Sequence, residues 1–491
     1  MNNKVQLISY PDRFGRNGIA GLHHILNKHL KGVIHGVHLL PFFNSIKGLD
    51  AGYDPKNHTE VDPSIGDWAD VTNLSQDYDL MADIIVNHIS AESKEFKDVL
   101  LRGRESDYFN LFLTKDKIFH QDEVVDDMLK IYRPQPGLPF ITLTTENGEA
   151  IDFWSTFTEN QIDIDVNSKQ GLDYLNSILE SFKSAGIKMI RLDAAGFVIK
   201  KAGTTCFLLD ETLDFIERFS QRAKTLGIET LVEIRSNYSN QIKIASKVDY
   251  VYDFALPFLV LNCLRSRNFD ALKRWLTISP RNCVTVLDTH DGIGVADVAE
   301  DGENPGLLSN AEIEATVSSI HENSNGQSLK ASGSAALNVD SSQINCTFYD
   351  AVGRSDQQYL IARAIQLFCP GIPQIYYVGL LAGTNDTSLL EETNEGRDIN
   401  RHYYTEEEIA LNLERQIVRD IIQLIRFRNE HPSFLGVFSI QNTTSDVLHL
   451  RWDFENQWSD IKIHLTTMEL SIEYTEGTSI QHINFAELQN N

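Results

Sequence analysis

Four short stretches of the chain set acids beside bases where an apolar run ends. They are Asp83 with Asn87 and His88, Arg191 with Asp193, Glu233 with Arg235, and Asp288 with His290 and Asp291. Taken singly, an acid at the end of a strand is as often a cap for the next helix as a reactive group. Four such ends in one chain call for a common site. Two carboxyls about 5–5.5 Å apart cleave a glycosidic bond with retention, one attacking the anomeric carbon and the other protonating the leaving oxygen. Asp193 and Glu233, at the ends of consecutive runs, suit that pair. Asp193 must stay ionised, which an adjacent Arg191 favours, and Glu233 must hold a proton near neutrality, which needs a raised pKa. Asp291 supplies a third carboxylate able to stabilise a cationic sugar.

The elements that must position these groups are eight short apolar or β-branched runs. They are VQLISY from Val5, GVHLLPFF from Gly36, MADIIVNH from Met81, IKMIRLD from Ile187, ETLVEIR from Glu229, VDYVYDF from Val248, VTVLDTH from Val284 and IPQIYYV from Ile372. Most are separated by stretches of helical period, such as GLDYLNSILESFKSAG, which closes on a glycine, and DQQYLIARAIQLF. Strands that alternate with helices and are apolar on both faces imply a parallel sheet, and eight of them imply a closed α/β barrel, (β/α)₈, of the TIM type. In such a barrel the loops after the strands build the site, which is where the acids fall.

The spacing breaks twice. About a hundred residues separate the third run from the fourth and include the Pro-rich YRPQPGLPF, a sign of an insertion. After the seventh run, DGENPGLLSN and HENSNGQSLKASGS read as loops of a second insertion. Beyond about residue 435 the pattern turns to alternation, as in VLHLRWDF, and predicts a small antiparallel β module. The expected division is barrel over 1–88, 168–291 and 356–435, insertions over 89–167 and 292–355, and the β module over 436–491.

Composition removes several classes of partner. Forty-three basic against sixty-nine acidic residues give a net charge of −26, which repels nucleic acid and anionic membranes. No run of eighteen apolar residues occurs and the N-terminus does not read as an export signal. Five widely spaced cysteines without a CxxC pair indicate neither a disulfide framework nor a zinc cluster, and fit a reducing cytoplasm. No metal or cofactor site is read: the clustered acids have catalytic duties and no two-histidine ligand spacing appears.

The strings DIIVNH, RLDAAGF, LVEIR and DTHD resemble the four short regions of glycoside hydrolase family 13, the α-amylase family. Within it, GVHLLPFF, DAGYDP, NHISAESKEF, YRPQPGLPF, QIDIDVNS, YDFALP, VLDTHDGIGV, PQIYYVGLLAG and GRDINRHYY resemble the sucrose phosphorylase group nearly end to end. The resemblance implies a double displacement between sucrose and phosphate, yielding α-glucose 1-phosphate and fructose. Asp193 becomes the nucleophile, Glu233 the acid/base and Asp291 the stabiliser. It further implies that Asp50, His88, Arg191, His290 and Arg397 hold the glucosyl unit, that Tyr53 and Phe157 flank it, that Arg133 meets phosphate, and that Gln161 and Gln343 line the pocket. A homodimer suits the resemblance.

The departures from that pattern gather on the acceptor side. Gln135 stands where a second arginine is common, Arg235 where a histidine is usual, and Ser341 and Ser342 where leucine and tyrosine are common. One reading is compensation: Arg235 restores the cation lost at position 135, so phosphate still binds while the leaving-group pocket changes shape. Related phosphorylases of glucosylglycerol, glucosylglycerate or sucrose 6′-phosphate, and plain α-glucoside hydrolases, are the competing assignments.

Overall fold

The structure, a computed structural model, describes residues 2–46, 50–119, 125–134, 136–333 and 343–485. Gln135, Ser341 and Ser342 lie outside the described residues, as does the side chain of Asp50.

All eight apolar runs become parallel strands: β1 Gln6–Ser9, β2 Gly36–Leu39, β3 Asp79–Ile85, β4 Ile187–Asp193, β5 Glu229–Val232, β6 Tyr250–Asp253, β7 Cys283–Thr285 and β8 Ile372–Tyr376. Each pairs with its neighbour in the chain, and β8 returns to β1 with Ile375 opposite Leu7, so the sheet closes. Closure leaves no unpaired strand edge. Helices predicted between strands form where expected. Lys169–Ser184 starts on the Ser168 hydroxyl, which accepts from Gly171 N, and is followed by Gly186 at φ +80°. Asp356–Phe368 starts on Ser355 in the same way.

Side chains alternate across a strand, so every second residue points into the barrel. A lower layer joins Gln374 Nε2 to Gln6 Oε1 at 2.7 Å and Tyr252 OH to Gln374 Oε1 at 3.4 Å, with Met81 beside them. One step up, His38, Asp83 and Arg191 form a charged layer. Asp83 therefore sits inside β3, two residues short of its end, where the sequence had read a strand-closing acid.

Between β3 and β4 the chain adds a hairpin, Phe140–Thr144 with Ala150–Trp154, and a short ladder of His88–Ser90 with Gln161–Asp163. After β7 the outcome differs from the loop reading. HENSNGQSLKASGS supplies the end of a helix, Asn310–Asn323, and the whole of a shorter one, Gln327–Ser332, joined at Gly326 with φ +77°. The first helix begins with a capping box between Ser309 and Glu312, which offsets its weak apolar stripe.

The C-terminal module is an antiparallel sheet in chain order, β9 Val437–Ile440, β10 Val447–Phe454, β11 Gln457–His464, β12 Glu469–Glu476 and β13 Ser479–Ile483. Leu448, Leu450, Ile461, Ile463 and Ile472 are buried on one face, and Trp452 Nε1 donates to Phe368 O at 2.8 Å, tying the sheet to a barrel helix. Among the described residues no helix is long and apolar enough to cross a membrane.

Candidate active site

Strand register brings the two central acids together. Leu192 lies opposite Val232, so Asp193 and Glu233 are the next residues on adjacent strands, and Glu233 N still donates to Leu192 O at 3.2 Å. Just after Asp193 the backbone turns back through Ala194 at φ +55° into the 3₁₀ turn Ala195–Phe197. That left-handed residue, uncommon outside glycine, is what keeps the Asp193 side chain at the mouth of the barrel rather than in a continuing strand.

Beneath the acids lies the charged layer. Arg191 Nη1 donates to Asp83 Oδ1 at 2.5 Å and to Asp193 Oδ1 at 2.6 Å. His38 Nε2 lies 2.8 Å from Asp83 Oδ2 and must donate, since an ionised carboxylate only accepts. Burial alone would raise the Asp83 pKa, but His38 and Arg191 outweigh it and hold the carboxyl at about 2. The sign follows from linkage: a depressed pKa stabilises the fold above the unfolded value, about 3.9, and that stabilisation is lost as pH falls toward about 2. Equilibrium unfolding between pH 6 and pH 3 checks this. Asp83→Asn is expected to flatten the acid limb and to cost about 3–5 kcal/mol at neutral pH, because Arg191 loses a buried counter-charge.

Exposure separates support from reactive groups. Asp83 and Arg191 keep 0% and 3% of their side chains accessible, whereas Asp193, Glu233 and Asp291 keep 15%, 14% and 10%. Arg191 holds Asp193 and Arg235 lies beside both Glu233 and Asp291, so the three partly exposed carboxyls gather around two arginines. Asp291 is 3.3 Å from Arg397 Nη1, 3.6 Å from His290 Nε2 and 3.8 Å from Arg235 Nη2. Burial pushes its pKa upward, but His290 and the arginines outweigh this and hold it well below the usual carboxylate range. Asp193 behaves otherwise. Burial pushes its carboxyl upward, Arg191 opposes, and Glu233 and Asp83 add to the rise. Arg191 does favour the ionised form, as its place beside Asp193 implies, but desolvation and like charge outweigh a single guanidinium. With like charges this close, protonation belongs to the group of carboxyls rather than to one residue.

The remaining residues form the walls. The DAGYDP turn runs through Ala51 at φ +46° and Gly52 at φ +101°, and Gly52 is required because a Cβ would lie 2.9 Å from Pro41 Cβ. This turn lays the Tyr53 ring on His290, stacked at 5.1 Å with 12° between planes. Burial lowers the His290 pKa well below its ordinary value, against the pull of Asp291. Opposite, Phe157 meets His88 edge-on at 5.3 Å, and His88 Nε2 donates to Tyr53 O at 3.1 Å. Gln161 Nε2 reaches the same carbonyl at 3.5 Å, and Gln343 Oε1 accepts from Gly292 N at 3.1 Å. A small cleft at the barrel mouth is lined by Ile8, His38, Arg191, Tyr252, His290 and Asp291. A larger hollow around Ile199, Lys201 and Arg218 contains none of these groups.

Comparison with known proteins follows the same lines. The description "Alpha amylase, catalytic domain" matches residues 10–291. A sucrose phosphorylase of Agrobacterium vitis is 50% identical over 473 residues, 96% of this chain and 97% of that one. The chain belongs to the α-amylase family, glycoside hydrolase family 13. Within the family it stands with the glucoside phosphorylases, which are hexosyltransferases. A sucrose phosphorylase of Bifidobacterium adolescentis is 47% identical, covering 92% of this chain and 90% of its own. The crystal structure of a sucrose 6F-phosphate phosphorylase from Thermoanaerobacter thermosaccharolyticum superposes with a TM-score of 0.91 at 37% identity, covering 98% of both chains.

In this α-amylase family member, sequence reasoning missed the parts that act at one remove. His38 orients Asp83, and the signal was its place on the inward face of GVHLLPFF. Arg401 Nε donates to His290 O at 3.0 Å and steadies the loop that carries Asp291. Arg133 is not presented as a bare cation: Nη1 donates to Leu138 O at 2.6 Å and Nη2 to Phe157 O at 2.8 Å, so it braces the loop that aims Phe157. The β7 loop is held from below by Arg363 Nη2, 2.6 Å from Asp288 Oδ2. A Cβ at Gly379 would stand 1.9 Å from Asp288 Oδ2 and 2.1 Å from Arg363 Nη2. Gly379→Ala is therefore expected to cost at least about 1–3 kcal/mol, read by denaturant unfolding, and to lower activity with it.

Proposed function

We propose that this enzyme is a retaining α-glucoside phosphorylase that converts sucrose and phosphate into α-glucose 1-phosphate and fructose through a covalent β-glucosyl intermediate. The observation that supports the reading is the register that sets Asp193 and Glu233 side by side at adjacent strand ends, with Arg235 beside both Glu233 and Asp291. Asp193 attacks the anomeric carbon, and Glu233 protonates the fructose oxygen. Glu233 then takes the proton from the incoming phosphate as it attacks, and the second inversion restores the α configuration. Asp291, ionised throughout, stabilises the oxocarbenium charge in both steps. A site whose carboxyls together retain a proton meets the demand of the first step.

Asp50, His88, Arg191, His290 and Arg397 are assigned to the glucosyl hydroxyls, and Tyr53 and Phe157 to its faces, where a ring buries sugar C–H surface. Gln161, Gln343, Arg133 and Arg235 are assigned to the acceptor side, and the resemblance assigns Gln135, Ser341 and Ser342, outside the described residues, to it as well. The likeness to two sucrose phosphorylases over nearly the full chain supports sucrose as the donor. A second reading, phosphorolysis of another α-glucoside, draws support from Arg235, a cation set where the leaving group must sit. Five buried, unpaired thiols support a reducing, cytoplasmic setting.

Incubation of the protein with sucrose and phosphate decides the matter. Phosphate-dependent release of α-glucose 1-phosphate is expected. Free glucose alone, at a rate phosphate does not alter, would mean a hydrolase.

A further inference from the structure

Arg235 is held in an unusual way. Its Nε is 3.7 Å from Glu233 Oε1, its Nη2 3.8 Å from Asp291 Oδ2 and its Nη1 3.9 Å from Asp297 Oδ2. All three separations exceed a hydrogen bond, and the buried Nε has no hydrogen-bond partner. The guanidinium carbon instead lies over Phe254, 3.7 Å from the ring centre, a contact that seats the group on the ring without aiming its N–H donors. Two of the surrounding carboxyls belong to the reaction. The third, Asp297, does not: it is fully buried in the turn after β7 and faces no substrate.

Asp297 is nevertheless built in with care. Gln241 Nε2 donates to its Oδ1 at 3.0 Å, while Oδ2, the oxygen toward Arg235, has no hydrogen-bond partner. Gly294 makes room for both: a Cβ there would lie 2.6 Å from Asp297 Oδ2 and 2.7 Å from Arg235 Nη1. A buried, unbonded carboxylate oxygen is costly unless a cation compensates it, and Arg235 is the cation nearest it. Gly294 is also the residue that pairs with Gln343, so this pair lies under the acceptor wall.

We infer that Asp297, steadied by Gln241, is a positioning residue that fixes the rotation of Arg235, so that the Nε and Nη2 edge is presented beside Glu233 and Asp291 to the incoming acceptor anion. The inference rests on the phosphorylase reading of the cleft. An anion arriving there needs donors already aimed at it, and a guanidinium free to rotate loses part of its advantage to ordering.

A double-mutant cycle tests it with the full-length enzyme, using α-glucosyl fluoride as donor and inorganic phosphate as acceptor. Asp297→Asn and Arg235→Ala are each expected to raise the phosphate KM about tenfold or more, and the double variant to be no worse than the poorer single one, because both changes remove the same contact between Arg235 and phosphate. For Asp297→Asn the kcat should stay within about threefold, the split expected when only binding is lost. Effects that multiply in the double variant, or a loss confined to kcat, overturn the positioning role. If Asp297→Asn does not fold, Gln241→Leu takes its place: it leaves the carboxylate but frees its rotation, and an unchanged phosphate KM overturns the inference. If the unaltered protein releases glucose but no glucose 1-phosphate, the phosphorylase reading is what has failed. The inference, which concerns an anionic acceptor, falls with it.

Discussion

Asp193→Asn is expected to lower turnover of an α-glucosyl donor by at least about 10⁴-fold while leaving the protein folded, as removal of a nucleophile that acts in concert with its partners does elsewhere. The size follows from what the change deletes. An amide is isosteric with the carboxylate and still accepts from Arg191, so the 2.6 Å contact that anchors the side chain has a replacement. What disappears is the charge able to form the glucosyl bond. Asp83 stays beneath it, so Arg191 keeps one buried counter-ion and the stability cost is small beside that of Asp83→Asn. Release of glucose 1-phosphate and donor depletion measure the first effect, and thermal unfolding the second. A turnover within about tenfold of the unaltered enzyme would reject Asp193 as the nucleophile, since no alternative carboxyl in the cleft stands at its strand end.

The sequence-level reading succeeded where one chemical demand acts on contiguous residues. Strands β3 and β4 are buried along both faces, so MADIIVNH and IKMIRLD had to be nearly all apolar, and the few polar residues they admit stood out. Three of those, Asp83, Arg191 and Asp193, are charged inside or at the rim of the barrel, and nothing but function or mutual pairing retains charge there. The reading weakened where the deciding fact is three-dimensional. Asp83 was taken for a strand end because its loop neighbours Asn87 and His88 drew attention to the close of the run, whereas its partner His38 lies 45 residues earlier. HENSNGQSLKASGS reads as a loop because serine, glycine and asparagine dominate it, yet it holds the last turn of Asn310–Asn323, whose stripe buries only Ile313, Thr316, Val317 and Ile320, and the whole of Gln327–Ser332. The capping box of Ser309 and Glu312 was the available signal. Asp297 could not be found at all: a lone aspartate between Ala296 and Val298 acquires meaning only when the turn after β7 brings it to Arg235. The upward pKa of Asp193 was equally out of reach, because desolvation depends on what the folded chain places around the carboxyl.

Glu233→Gln should divide the reaction by leaving group. With sucrose, the departing alkoxide of fructose needs a proton, and losing the group that supplies it is expected to cost about 10²–10⁴-fold in kcat. With α-glucosyl fluoride the leaving group departs unaided, so formation of the glucosyl-enzyme at Asp193 should proceed within about tenfold of the unaltered rate. Transfer to phosphate, which needs a base, then becomes the slow step, and the covalent intermediate accumulates to be seen as a mass increase on the peptide containing Asp193. The two acids respond differently because they occupy different surroundings. Asp193 is gripped by Arg191, whereas among the described residues the cation beside Glu233 is the Nε of Arg235, 3.7 Å away, so a proton can pass without breaking a close ion pair. An added small anion such as azide requires no base; it should restore turnover of the fluoride by attacking the β-glucosyl-enzyme from the face where the Glu233 carboxylate stood, displacing Asp193 and giving α-glucosyl azide with net retention. Equal loss with both donors would show that Glu233 serves binding or the fold rather than proton transfer.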